Sequence, residues 1–304
     1  MPVLVGRARE FIFFRAGFKG LRETLSAERV RLVFERLVYA VGMGRKNALV
    51  RVIIRVAAVL IWTLLSILIQ AVFLSLPGQG KVRFARIYWR VVGWFVGLRL
   101  NIEGQPTAHK PTLFVANHCS WLDIVSLGSV LPACFVAKAE IAGWPGISIV
   151  AKLGRTIFVS RNRQAVAQEQ QALEQRLKSG DSIILFPEGT TSDGNRVRPF
   201  ASAFFTLAFG EAQPWVQPVT VVYDEIEGQP VRRFDRQLVA WHGDMDLWPH
   251  LKQLLRRSST RATIIFGAPA QPGTYANRKA ISAAMEHEIT AQAAMLRQGR
   301  RASF

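Results

Sequence analysis

The chain has 304 residues, half of them hydrophobic, so it can bury a sizeable core and is not a disordered polymer. Its formal net charge is +18, but unevenly spread: residues 1–110 hold 18 basic and 5 acidic side chains, residues 111–304 hold 21 and 16. A basic balance of this kind faces nucleic acid, an anionic membrane or an acidic partner; no zinc-finger spacing, RNA-recognition signature or basic-zipper pattern is present, which argues against nucleic acid.

In chain order, residues 1–49 combine FIFF with spaced arginines and read as a basic amphipathic N-terminal region with no identifiable chemistry. Residues 50–78 contain the uncharged run VAAVLIWTLLSILIQAVFLSL, 56–76, whose 21 residues are long enough to cross a bilayer core. It begins too late and lacks the small-residue site of a cleavable signal. Arg45, Lys46, Arg51 and Arg55 precede the run and Lys81, Arg83, Arg86 and Arg90 follow it, so charge does not set an orientation. A spanning helix and a re-entrant one both remain open. The segment 85–100, with arginines beside Trp89, Trp94 and Phe95, is expected to be a returning or surface-lying helical partner.

Residues 79–304 are expected to form one α/β domain with a largely parallel sheet flanked by helices. TLFVAN, CFVAK, TIFVSR, SIILFP and VQPVTVVY read as buried strands, with QLVAWHG and ATIIFG resembling them. Between them SWLDIVSLGSVL, EIAGWPGISIVAKLG, QAVAQEQQALEQRLKSG and SAFFTLAFGEA read as helices. Ligands of such sheets bind beyond the carboxyl ends of the strands. Three polar clusters fall there: Asn117 and His118 after TLFVA, Arg161 after TIFVS, and Glu188 after SIILFP.

The stretch VANHCSWLDIV places His118 and Asp123 five residues apart. Ser120 to Asp123 fits a helix-capping box, which explains the carboxylate without any chemistry. A histidine at a strand end with a carboxylate in the next helical turn is also a base held in one tautomer, and one carboxylate can serve both purposes. Cys119 beside the histidine reads as a packed thiol rather than a nucleophile. Cys119 and Cys134 offer neither a disulfide framework nor a metal-ligand spacing, the five histidines form no HExxH pattern, and Asp244 and Asp246 read as helix-start residues; no metal site is expected.

These residues resemble the membrane-bound glycerolipid acyltransferases. Asn117-His118 with Asp123 resembles the first block of that family, Asn-His-x4-Asp. GRTIFVSR, with Gly154, Phe158 and Arg161, is similar to the second; Phe186 to Thr190, FPEGT, matches the third; and the proline inside VQPVTVV, Pro218, resembles the fourth. The likeness covers roughly residues 80–270. It implies O-acyl transfer from a thioester, carried by acyl carrier protein or coenzyme A, to the free hydroxyl of a lysolipid, with no other cofactor. His118 would be the general base and Asp123 its orienting group. Asn117, Arg161, Glu188, Gly189 and Thr190 would hold the acceptor. The implied location is the inner membrane, with the site facing the cytoplasm and membrane lipids as partners. The sequence departs from the family in having Thr191 where an arginine usually follows Glu-Gly-Thr, and Ala201 where a lysine often follows Pro-Phe. Arg196 and Arg198 in the same loop are the candidate replacements. The expected acceptor is 1-acylglycerol-3-phosphate, giving phosphatidic acid, with phosphate-free lyso-ornithine lipid as the alternative. A thioesterase or lipid hydrolase using the same base on water is a reading of another class; no Gly-x-Ser-x-Gly elbow supports a serine hydrolase.

Overall fold

A computed structural model of the chain describes residues 48–144, 146–159 and 166–300. Most of the 1–49 region and Arg161 therefore lie outside the described residues. The chain divides into a unit ending at Arg51 and a second unit from Val52 onward, and the contacts below are within the second.

Helix α1, Ala48–Ser75, contains the uncharged run, and α2, Gly80–Phe95, runs back along it. Trp62 Nε1 donates to Tyr88 O at 3.3 Å, Thr63 and Tyr88 hydroxyls lie 3.0 Å apart, and Gln70 Nε2 donates to Lys81 O at 3.0 Å. These contacts run in opposite order along the two helices, the middle of α1 meeting the middle of α2 and its later part the start of α2, as in an antiparallel hairpin. The returning helix expected over 85–100 is there, but its last residues are not helical: Gly97 takes φ +80°, and Leu98 opens a strand.

The start of α1 is built into the body. Val52 is buried in the main core, with Val56, Val59 and Trp62 packed against the same cluster. Arg55 donates to Leu255 O at 3.1 Å, Arg257 O at 2.7 Å and Ser258 O at 2.8 Å. It thereby satisfies carbonyls at the end of α6 (Leu247–Leu255) and in the turn after it. Further along, Leu60, Ile61, Leu64, Leu65, Leu68 and Val72 are exposed. One described helix, α1, is thus long and apolar enough to cross a membrane.

The remaining elements are β1 (Leu98–Glu103), β2 (Thr112–Ala116), α3 (Leu122–Val130), β3 (Ala133–Lys138), α4 (Ile147–Leu153), β4 (Ile157–Val159), α5 (Val166–Lys178), β5 (Ser182–Leu185), β6 (Trp215–Ile226), β7 (Gln229–Pro230), β8 (Thr260–Phe266) and α7 (Arg278–Arg297). They form a mixed, mostly parallel sheet in the order β1-β8-β6-β2-β5-β3-β4, with β7 paired to β6. Only β8 and β7 run antiparallel to β6. Strands β2 and β5 are buried along their whole length, as continuous apolar runs in a parallel sheet must be. Alternation in β2 feeds two layers: Phe114 and Ala116 join the core that holds Val92 of α2 and Leu122 of α3, while Leu113 and Val115 join the one that holds Leu177 of α5 and Ile281 of α7.

Three local expectations are corrected. QLVAWHG is no strand: Asp235–Leu238 is a 3-10 turn, and Val239 and Ala240 are buried under the loop after β2, where Trp241 N donates to Cys119 O. The expected helix over EIAGWPGISIVAKLG is split into a 3-10 turn, Ala139–Gly143, and α4, because Gly146 takes φ +76° between them. SAFFTLAF, Ser202–Phe209, is a 3-10 rather than an α-helix.

Candidate active site

His118 stands just beyond the carboxyl end of β2, and Asp123 in the first turn of α3. Asp123 is fully buried, with both oxygens engaged. Oδ2 faces His118 Nδ1 at 2.8 Å and accepts from the amides of Cys119 at 2.7 Å and Ser120 at 2.9 Å. Oδ1 accepts the Tyr223 hydroxyl at 2.8 Å. The bond to the Ser120 amide, with Ser120 Oγ accepting from Leu122 N at 3.3 Å, resembles the capping box, so one carboxylate does serve as cap and as histidine partner. The Nδ1 contact leaves Nε2 as the free ring nitrogen. His118 is 17% exposed through its side chain and stacks on Phe186, centroids 4.0 Å apart.

The loop after β5 holds the histidine's backbone. Glu188 Oε1 accepts from His118 N at 2.6 Å and Oε2 from Arg198 N at 2.9 Å, while Ser192 N donates to His118 O at 2.9 Å. Burial pushes the Glu188 carboxyl up to about 7, against the two amide bonds that favour its charged form. Burial, reinforced by Asp123, pushes the Tyr223 hydroxyl well up, keeping it a donor. The same two influences push up the Cys119 thiol, so this cysteine is not an activated thiolate.

A groove of about 340 Å³ opens at His118, lined also by Gly189, Thr190 and Thr191 and walled by Phe135, Phe186 and other apolar side chains. Not every residue singled out in the sequence reaches it. The Asn117 amide is buried and committed to β6, donating to Val221 O at 2.9 Å and accepting from Val221 N at 2.8 Å. Arg196 and Arg198 are exposed and do not line the groove, and Glu188 turns both oxygens to backbone amides. Asp246 stands at the start of α6 without a side-chain capping bond. Among the described residues no His, Cys, Asp and Glu cluster could hold a metal ion.

Three residues escaped the sequence reading. Tyr223 reaches Asp123 from 100 positions away, and no local spacing announces it. His250 accepts the Trp121 indole N–H at 3.1 Å and so braces the loop that carries Cys119 and Ser120. Lys138 lines the groove from the end of β3; it closes an apolar run, CFVAK, the same sequence signal that singled out His118 and Glu188, although only Cys134 and Phe135 of that strand are buried.

Residues 99–222 match the acyltransferase family. The chain is 39% identical over 256 residues to the lyso-ornithine lipid O-acyltransferase of Brucella abortus, covering 81% of this chain and 96% of that one. The chain belongs to the acyltransferase family. It is an acyltransferase. It is 36% identical to the lyso-ornithine lipid O-acyltransferase of Rhizobium meliloti, over 70% of this chain and 76% of that one, and 34% identical to the 1-acyl-sn-glycerol-3-phosphate acyltransferase of Neisseria gonorrhoeae, over 44% and 54%. The crystal structure of the 1-acyl-sn-glycerophosphate acyltransferase PlsC from Thermotoga maritima shares the fold, with TM-score 0.61 at 15% identity over 82% of this chain and 97% of that one.

Proposed function

We propose that this acyltransferase moves an acyl group from a thioester, on acyl carrier protein or coenzyme A, to the hydroxyl of lyso-ornithine lipid. The observation that carries the chemistry is His118, fixed through Nδ1 on a buried carboxylate with its other nitrogen open to the groove. His118 Nε2 takes the hydroxyl proton as the oxygen attacks the thioester carbonyl, and Asp123 stabilises the imidazolium. The new C–O bond replaces the C–S bond, and the proton passes from Nε2 to the departing sulfur. No acyl-enzyme intervenes.

Of the two acceptors raised by the sequence, the phosphate-free one is favoured by the groove. A phosphomonoester needs paired cationic donors, yet among the described residues Lys138 is the one Lys or Arg that lines the groove, with Thr191 on the wall where an arginine is usual and Arg196 and Arg198 outside the lining. The long match to the Brucella enzyme supports the same choice. We place the enzyme at the inner membrane, cytoplasmic side, with α1 and α2 as its anchor.

The test offers lyso-ornithine lipid and lysophosphatidic acid in parallel, each with acyl carrier protein and coenzyme A thioesters. Labelled acyl groups are expected in ornithine lipid, and His118→Ala should lower that rate on the order of 100-fold to 10,000-fold. Transfer to lysophosphatidic acid alone would overturn the acceptor, and release of free fatty acid alone would favour the hydrolase.

A further inference from the structure

A second cavity, of about 400 Å³, opens between β6 and the end of α7, and Arg236, Arg261, Arg297 and Arg300 line it with Asp224. None of its lining residues lines the groove at His118. Arg261 is already neutralised: its Nε and Nη2 donate to Asp224 at 2.9 and 3.1 Å, and Nη1 faces Glu225 at 2.6 Å. Among the described residues the other three arginines have no carboxylate within ion-pair distance. Arg236 reaches only neutral oxygens, Asn195 Oδ1 at 3.1 Å and Arg297 O at 3.4 Å, and Arg300 donates to Gln298. Arg297 is left with less, since its Nε is buried without a hydrogen-bond partner. Asp193 and Glu188 attract Arg297 from a distance, but their oxygens are taken by Asn195 and by backbone amides. Burial holds the Arg297 guanidinium below the usual arginine range, and the charge of Arg236 adds to that. A cation taken from water beside a second cation is costly unless an anion completes the arrangement.

We infer that Arg297, Arg236 and Arg300 bind a phosphate-class anion in this cavity, at a site separate from the acyl groove. Guanidinium forks are suited to the several acceptor oxygens of a phosphate, and three uncompensated cations suit its second charge better than a lone carboxylate would. The volume lies within the range of small-molecule pockets, about 300–1,000 Å³, so the phosphate fits as part of an ester, soluble or lipid. Tyr223 belongs to the wall of this cavity and donates to Asp123 Oδ1 at 2.8 Å, so the anion site backs directly onto the catalytic carboxylate. The inference goes beyond the proposed reaction and does not depend on which lysolipid is acylated.

The experiment titrates the full chain in detergent, by calorimetry at constant ionic strength, with inorganic phosphate and separately with dihexanoyl phosphatidic acid. Saturable binding of at least one is expected. Arg297→Met and Arg300→Gln should each weaken it on the order of 10-fold to 100-fold, whereas Arg99→Met, at an exposed arginine of β1, should leave it unchanged. Arg300 is exposed, so its replacement keeps the test open even where Arg297→Met does not fold. Binding of inorganic phosphate assigns the site to a free anion or soluble ester, and binding of the short-chain lipid alone assigns it to a head group. No saturable binding of either, or binding that both substitutions leave intact, would overturn the inference.

Discussion

Asp123 is the residue on which the site turns, because four donors converge on one buried carboxylate. Tyr223→Phe removes the one donor to Oδ1 among the described residues. It is expected to cost about 1–3 kcal/mol of stability, the usual cost of leaving a buried acceptor short, and to lower kcat more than it raises KM. Chemical denaturation and steady-state kinetics on one preparation measure both. Glu188 supplies a pH dependence of known sign. Its carboxyl titrates near 7 in the fold against an ordinary 4.5, so folding takes up a proton between these values. Stability should therefore fall as pH rises from about 4.5 to about 7, and Glu188→Gln should flatten that slope in melting temperatures recorded across the window. The sequence disclosed His118 and Asp123 because their partnership is local, five positions along one chain segment. It did not disclose what Glu188 does: a carboxylate in a family block looks like a ligand-binding group until its two backbone partners, 70 and 10 positions away, are seen.

Among the elements, the strands of the parallel centre were legible because a strand buried on both faces must be apolar throughout. QLVAWHG carries the same pattern for another reason: it buries Val239 and Ala240 beneath the catalytic loop and pairs with no strand. The hairpin shows how much one apolar run can conceal. Its first turns bury Val52 and bind Arg55 to three carbonyls, while an exposed apolar face runs from Leu49 and Ile53 on to Val72. Leu64→Glu with Leu68→Glu is expected to shift the protein toward the soluble fraction while circular dichroism still reports a folded body, since both side chains are exposed. Deleting residues 1–78 should instead yield aggregated protein by size exclusion, because the partners of Val52, Val56 and Val59 would be uncovered.

For the whole molecule, the sequence carries an excess of positive charge in its first 110 residues and α1 an exposed apolar stretch, two features that would each bind an anionic lipid surface by different physics. Salt screens the first and leaves the second intact. Washing membranes at high ionic strength should leave the protein in the pellet, as fractionation and immunoblotting would register; release would reduce the anchor to surface charge alone.

Trp89 of α2 rests its indole against Gly128 of α3, so close that a β-carbon at 128 would lie 2.5 Å from the ring. The same tryptophan lines the catalytic groove and also a separate void of about 20 Å³ bordered by Ser66, Phe84 and Gly154. The ring thus borders both spaces, and its seat depends on a hydrogen atom being the only side chain at 128. Enlarging that residue would displace the Trp89 ring, itself part of the groove's wall, so the working dimensions of the site are governed in part from a position that does not line it.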